Sequence, residues 1–566
     1  MNCYSKDGSN MKLTDSVDLL YPDHSSAMTG HDRRSVRASL PQNYLDDLEA
    51  YRIALQFCPS EPDLIMNLMR EFSCDIPTIE YRLDCLEDHL REPRLSDELK
   101  AIMRRLSDNN AGLERIRGKA NSFMEIHMRR EELHAFIACI EDMKALWVKC
   151  RKRVTSRAMI SLFECFEQLD KSQDYLSMKS DLAQLDEAFA KSIRSVTVGI
   201  NFNHNMVPES CGILTTSNDK IYPKGNILDR LIFKTYEGHT QFEGEEHTNS
   251  ALKNLAPDLD TALFKALGKY TDEFAQRIAD ALKSRRRLFF NDIGVIEHQL
   301  GIYESAARMI KYVRSRGLEM CRPKLLPKES RSARITGMFD LVFFRQAANA
   351  APESRGEKLV VTNDIELSGN GHFMLVTGVN NGGKTTFARA YGICRLLAQC
   401  GMYIPAKSAE LSLCDHIFTH FPKEETIGIN TSRFTEEIKQ LAVICRTATH
   451  YSTVVMNESL QSTTPEECLE IARAHIEMLA AAGVSGMYVT HLISLYSDAQ
   501  KINTKGYPTK IGSLVAEADE TTGCRTYKLR ERPPLQQSAA SQIFEQYGAK
   551  LSEITGRQDL ADKSRS

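Results

Sequence analysis

The stretch from His372 to Arg389, HFMLVTGVNNGGKTTFAR, constrains the fold of this 566-residue chain more than any other. Gly378, four residues, then Gly383, Lys384 and Thr385 complete the pattern G-x-x-x-x-G-K-[ST], a phosphate-binding loop. The apolar run Phe373 to Val376 predicts a buried strand ahead of it, and apolar residues at helical spacing from Thr385 to about Leu397 predict a helix behind it. Between them Gly378, Gly382 and Gly383 let the backbone turn with its N–H groups inward, where a Cβ would obstruct a phosphate. The helix aims its positive end at the same point. An ordinary glycine-rich strand-to-helix turn shares some of these letters. The strand before and the helix after favour a nucleotide site, in which Lys384 reaches the β- and γ-phosphates and the Thr385 hydroxyl takes a position on Mg²⁺.

Length allows two to four domains, each able to bury its own core. Gly (30) and Pro (18) make under a tenth of the chain, which favours long helices over turn-rich β architecture. A net charge of −3 supplies no global field toward nucleic acid or a membrane, so such contacts have to be local. Fifteen cysteines, an odd number with no C-x-x-C pair, read as reduced residues packed as small apolar side chains. No run reaches membrane-spanning length, and the first forty residues hold no signal-peptide core, which points to a cytoplasmic protein, nucleoid-associated if it meets DNA.

In chain order, residues 1–40 read as a loose tail with one apolar patch at Val17, Leu19 and Leu20. Residues 41–330 read as a helical region. Ile79, Leu83, Leu86 and Leu90 repeat at helical steps, as do Leu133, Phe136, Ile137, Ile140 and Met143, stripes that bury helix against helix. From about 193 to 235 the period falls to two: Val196, Val198, Ile200 and Phe202 alternate with Thr197, Gly199 and Asn201, a small β insertion in a helical frame. Two basic clusters flank it, Lys149, Arg151, Lys152 and Arg153 before, and Lys283, Arg285, Arg286 and Arg287 after. Such runs are solvated helix faces or contacts to a phosphate backbone. Cys321 to Pro327 reads as a boundary, and residues 331–566 as an α/β domain. There Thr453 to Met456 predicts a strand ending in Asn457 and Glu458, Thr464 with Pro465 and Glu467 a helix start, and Met487 to Val489 a strand ending in Thr490 and His491.

GVNNGGKTT, TSRFTEEIKQ, VVMNESLQSTT and VTHL stand in the order, and at roughly the spacings, of the MutS family of DNA mismatch-repair ATPases, which the chain resembles most over about Asp364 to His491. TIEYRLDCLEDHL resembles the family's core more weakly. The resemblance implies an α/β P-loop NTPase domain of ABC type, preceded by a mostly helical core and lever with a small β-rich clamp-like insertion. It implies ATP and Mg²⁺ as ligands, DNA as partner (duplex, mismatched or branched), and a homodimer. Carried over by position, Gly378, Val379, Asn380, Asn381, Gly382, Gly383, Lys384, Thr385 and Thr386 form the phosphate loop. Ser432 and Glu437 match the segment that reaches the nucleotide of the opposite subunit. Glu458 matches the carboxylate that orients the attacking water, and His491 the histidine that senses the γ-phosphate. Asn457, with Thr385 and Glu458, falls at the metal.

The departures are informative. The family carries Asp where this chain has Asn457; an amide accepts a hydrogen bond from a metal-bound water but adds no charge, so ATP binding is expected more firmly than fast turnover. Val379 replaces the family's proline. A mismatch-reading N-terminal domain and a nuclease domain are expected to be missing. Phe123-Met124-Glu125 and Phe434-Thr435-Glu436 fit the Phe-x-Glu wedge only in letters, one in a helical stretch and the other in the ATPase domain. The leading expectation is thus a nucleotide-controlled dimeric clamp on DNA, in mismatch repair or related DNA metabolism. The alternative is a nucleotide-gated assembly protein with weak ATPase activity and no mismatch recognition. A transporter's ATP-binding subunit shares the loop and the late histidine but not hundreds of helical residues upstream.

Overall fold

The computed structural model describes residues 17–22, 41–116, 122–190, 195–202, 204, 208–217, 293–368, 372–422, 433–460, 464–518 and 525–534. They fall into two compact units, one drawn from Asp97–Lys152 and Ile160–Glu297, the other from Asp18–Ser96, Arg153–Met159 and His298–Ser566. The helices between 43 and 91 belong with the C-terminal part.

The described residues of the first unit form helices and one hairpin. Helices Ser122–Cys150, Arg157–Lys171 and Gln173–Ala190 supply most of those residues. Leu133, Phe136, Ile140 and Met143 are buried as their spacing predicts, with Phe136 edge-on to Tyr175 and Trp147 stacked on Phe163 at 4.8 Å. Strand β1 (Ser195–Phe202) pairs antiparallel with β2 (Pro208–Ser217), the described part of the expected β insertion. Its continuation to 235 and the cluster Lys283 to Arg287 lie outside the described residues. In the first basic cluster Lys149 pairs with Glu98 at 3.3 Å, and in the other unit Arg153 pairs with Glu92 at 2.5 Å.

The second unit holds two sheets. The smaller is made by β3 (Lys324–Leu326), β4 (Ala333–Met338), β5 (Asn363–Leu367) and a later strand, β7, in the order β3-β7-β4-β5. The larger has six strands in the order β12-β11-β6-β10-β9-β8, from β6 (His372–Gly378), β7 being Ser408–Ser412 of the smaller sheet, β8 (Ile417–His420), β9 (Thr453–Asn457), β10 (Ser485–Val489), β11 (Lys510–Ala518) and β12 (Arg525–Glu531). All its neighbours are parallel except β11 and β12. Such a sheet buries both faces, and the residues sort by period two. Phe373, Leu375, Val454, Met456 and Tyr488 pack with Leu441, Ile444, Ile476, Leu479 and Leu495 from the helices Arg433–Thr447, Pro465–Ala482 and Leu495–Asn503. The helix Lys384–Cys400 contacts β6, β9, β10 and β4. Nearly all of it is buried, which is why its apolar residues run round the whole helix rather than along one stripe.

Two segments depart from the sequence reading. Cys321 to Pro327 is built into the smaller sheet, with Cys321 and Ile404 exchanging backbone hydrogen bonds at 3.0 Å and Lys324–Leu326 paired to β7. Residues 18–22 are a docked strap. Asp18 Oδ1 accepts from Leu20 N and Gln299 Nε2, the Tyr303 hydroxyl donates to Leu19 O at 2.5 Å, and Arg82 Nε donates to Leu20 O. A short polar-flanked stretch carries no periodicity, so only its tertiary partners reveal the docking.

Candidate functional site

Strands β6, β9 and β10 are adjacent and parallel, so their C-terminal ends form one edge, the usual place for ligands in a parallel sheet. Each end carries expected site residues: Gly378 to Thr386 after β6, Asn457 and Glu458 at β9, and His491 after β10. Helix Lys384–Cys400 starts at the loop with Gly383 as its N-cap in the left-handed region (φ 87°), leaving the first N–H groups of the helix directed at the loop. Gly378 also has positive φ (120°), and a Cβ there would lie 2.7 Å from Ala516 O and 2.8 Å from Ala516 N of β11. A Cβ on Gly382 would lie 2.9 Å from Val379 O. Asn381 supplies a third left-handed position (φ 56°), tolerated by a short polar side chain.

The loop encloses Lys384, which is 4 % exposed and donates from Nζ to Gly378 O and Val379 O, both at 3.0 Å. Burial lowers its pKa from the usual lysine value, opposed by the nearby Glu458 carboxylate. A cation held over a ring of backbone dipoles, with the positive end of a helix beside it, suits an anion with several oxygens. Next to it the Thr385 hydroxyl donates to Asn457 Oδ1 at 2.9 Å. Asn457 is 5 % exposed. Thr385 Oγ1, Asn457 Oδ1 and the Glu458 carboxylate fit a Mg²⁺ ion that takes most of its ligands from phosphate and water. Among the described residues no group of three His, Cys, Asp or Glu side chains forms a metal cluster.

Glu458 is non-glycine yet left-handed (φ 45°), and its N–H donates to Val489 O at 2.8 Å. Its Oε1 lies 2.9 Å from His491 Nε2, with both side chains partly exposed. A carboxylate and an imidazole thus meet at the mouth of the loop. Behind them His420 Nδ1 bonds Ser459 Oγ at 2.7 Å.

Tyr527, on β12, was not foreseen. It is 43 % exposed, and its Cδ1 lies 3.6 Å from the place a Gly383 Cβ would take. Its left-handed backbone (φ 57°) is clasped by Asn363, whose Nδ2 donates to Tyr527 O at 3.0 Å while Leu529 N donates to Asn363 Oδ1 at 2.9 Å. No local sequence signal marks an aromatic so far along the chain from the loop. Ser432, expected to complete a neighbouring site, lies outside the described residues.

Comparison with known proteins adds a family to this geometry. The family model of MutS domain V matches residues 374–544, the span of the loop, Asn457, Glu458 and His491, and the model of the MutS2 N-terminal domain matches residues 74–316. The chain belongs to the MutS family. It is 26 % identical over 464 residues to the DNA mismatch repair protein MutS of Syntrophomonas wolfei, a match covering 75 % of this chain and 49 % of that protein. It is 33 % identical over 140 residues to the endonuclease MutS2 of Thermus thermophilus, covering 25 % of this chain and 19 % of that one. With the human MutS protein homolog 4 it shares 27 % over 156 residues, covering 28 % and 17 %. The chain thus spans about half the length, or less, of the curated relatives it matches. Among its described residues no helix of this MutS-family chain is long and apolar enough to cross a membrane.

Proposed function

We propose that the chain binds and hydrolyses ATP at the edge formed by β6, β9 and β10, and that nucleotide controls a dimeric clamp on DNA in mismatch repair or related DNA metabolism. The observation that carries this reading is the convergence of Lys384, Thr385, Asn457, Glu458 and His491, from three segments far apart in sequence, around one loop. Gly378 to Thr386 wrap the phosphates, and Lys384 exchanges its two carbonyl partners for phosphate oxygens. Glu458 accepts a proton from the water it orients. His491, hydrogen-bonded to Glu458, turns to donate to the γ-phosphate. Thr385, with Asn457 and Glu458, would hold Mg²⁺, which would supply charge neutralisation at the phosphates. Tyr527 offers a ring face beside the loop for the base or ribose. In this reading the second unit is a P-loop NTPase domain, the helical first unit its lever and the hairpin part of a clamp.

One observation favours a second reading. Asn457 brings no charge to the cation, which suits a protein that holds ATP long, turns it over slowly, and acts by recruiting partners. Gel shifts with duplex, mismatched and branched DNA, with and without ATP, separate the two. The clamp reading expects nucleotide-dependent shifts that Lys384→Ala abolishes together with ATP binding. Nucleotide binding with no DNA shift under any condition would overturn it in favour of recruitment.

A further inference from the structure

The turn after β9 is held from several sides. Glu458 and Leu460 both have left-handed backbones, φ 45° and 70°, a conformation that a non-glycine residue keeps only when its surroundings impose it. The Tyr488 hydroxyl donates to Ser459 O at 3.2 Å, and Glu458 N is held by Val489 O. On the last side, Leu460 N donates at 2.8 Å to Oε2 of Glu437, a 9 % exposed carboxylate on the helix Arg433–Thr447. A carboxylate accepting from a buried amide is a charge-assisted bond, stronger than its neutral counterparts.

We infer that Glu437 is a positioning residue: its carboxylate fixes the Leu460 amide and through it the backbone conformation that aims the Glu458 side chain. This deepens the reading of Glu458 as the water-orienting carboxylate and rests on it. The family resemblance implies that Glu437 lies in a segment that reaches toward a neighbouring subunit's nucleotide, and its side chain bonds the turn of its own chain. Removing the acceptor leaves a buried N–H unpaired next to two strained residues, so the turn relaxes and Glu458 leaves its place while the phosphate loop, on another strand, stays intact.

The test is steady-state ATP hydrolysis by the full chain, with ATP affinity measured separately by titration of a fluorescent analogue. Glu437→Ala is expected to lower kcat on the order of tenfold or more, with KM and affinity within about twofold. Glu437→Gln, which keeps an acceptor oxygen at the same reach, restores most of the rate. On a Glu458→Ala background, Glu437→Ala adds nothing, because its effect passes through Glu458. If Glu437→Ala does not fold, Glu437→Asp, a carboxylate short by one methylene, carries the same expectation. A wild-type kcat in both Ala and Asp variants, a parallel loss of affinity, or a further drop on the Glu458→Ala background would overturn the inference. Wild-type hydrolysis by Glu458→Ala alone would remove the reading of Glu458 itself, and the inference with it.

Discussion

Asn457→Asp tests the metal side of the site with a change of sign. The side chain is 5 % exposed and its Oδ1 accepts from Thr385 Oγ1 at 2.9 Å, so an aspartate keeps the acceptor and the volume but adds one buried negative charge beside Glu458. Without metal that charge is a cost of roughly 1–3 kcal/mol, from desolvation and from the neighbouring carboxylate, partly offset by Lys384. With Mg²⁺ the sign reverses. A unit charge about 5 Å from a divalent ion gains roughly 1.7 kcal/mol at the dielectric of water and about four times that at an effective dielectric near 20, so a net gain of about 2–4 kcal/mol is reasonable. That corresponds to on the order of thirtyfold or more in the Mg²⁺ concentration needed. The assay is thermal melting of both proteins at fixed ATP across a Mg²⁺ titration. The variant should melt about 2–4 °C lower without Mg²⁺ and reach its stabilised plateau at a Mg²⁺ concentration at least tenfold lower. A Mg²⁺ midpoint equal to wild type, whether or not the metal-free protein is destabilised, would show that Asn457 does not face the cation.

Two further outcomes follow from side chains already described. His89 and His475 are buried, and burial pushes each pKa down to about 4, so both stay neutral in the fold while the unfolded chain takes up their protons near pH 6.5. Their contribution is therefore present above about pH 6.5 and is lost as pH falls toward 4. Each accounts for roughly 2 kcal/mol between pH 8 and 5, and urea unfolding of His475→Gln should show a shallower pH dependence than wild type. The probe has to be far-UV dichroism or hydrogen exchange in β9 and β10, since the single tryptophan, Trp147, lies in the other unit. Tyr527→Ala should weaken ATP binding by about five- to thirtyfold, from a lost stacking face worth roughly 1–2 kcal/mol, while leaving inorganic triphosphate binding unchanged; equal weakening of both would place the ring's role at the phosphates.

Much of the site could be read from the chain because its parts are local. The strand Phe373 to Val376, the helix from Thr385, the strand Thr453 to Met456 and the Thr464 cap are each set by a few consecutive residues, and the structure has β6 as His372–Gly378, the helix as Lys384–Cys400, β9 as Thr453–Asn457, and Thr464 Oγ1 accepting from Glu467 N. Periodicity reports which face a strand buries, not which strand lies beside it. Nothing in the letters placed β11 next to β6, so Ala516, the residue that forbids a Cβ on Gly378, could not be foreseen. Tyr527 was hidden for the same reason. The docking of residues 18–22 escaped notice because five residues with a single pair of leucines have no period, and their hold comes from Gln299, Tyr81, Arg82 and Tyr303. Glu437 was legible as a position and illegible as a contact: a glutamate near a helix start reads as solvent-facing until the partner amide appears.

This contrast separates two layers of the proposed activity. The groups that would hold ATP come from one continuous stretch, Gly378 to Thr386, shaped by glycine conformations and by a helix buried on every side, so its geometry is set by the core and resists change elsewhere. The groups that would govern turnover come from Asn457, Glu458 and His491, with Glu437 behind them, on three different segments joined by single hydrogen bonds of 2.8 to 2.9 Å. Of these bonds only that of Asn457 touches the loop, at Thr385; those of Glu458, His491 and Glu437 can be lost without disturbing it. On the proposed reading, a MutS-family chain built this way would retain nucleotide binding while its turnover drifts with one side chain, and Asn457 would be a substitution of that kind. The amide keeps the hydrogen bond to Thr385 that organises the start of the helix and gives up only the charge, so the binding layer stays intact and the cost falls on the metal and on whatever step depends on it.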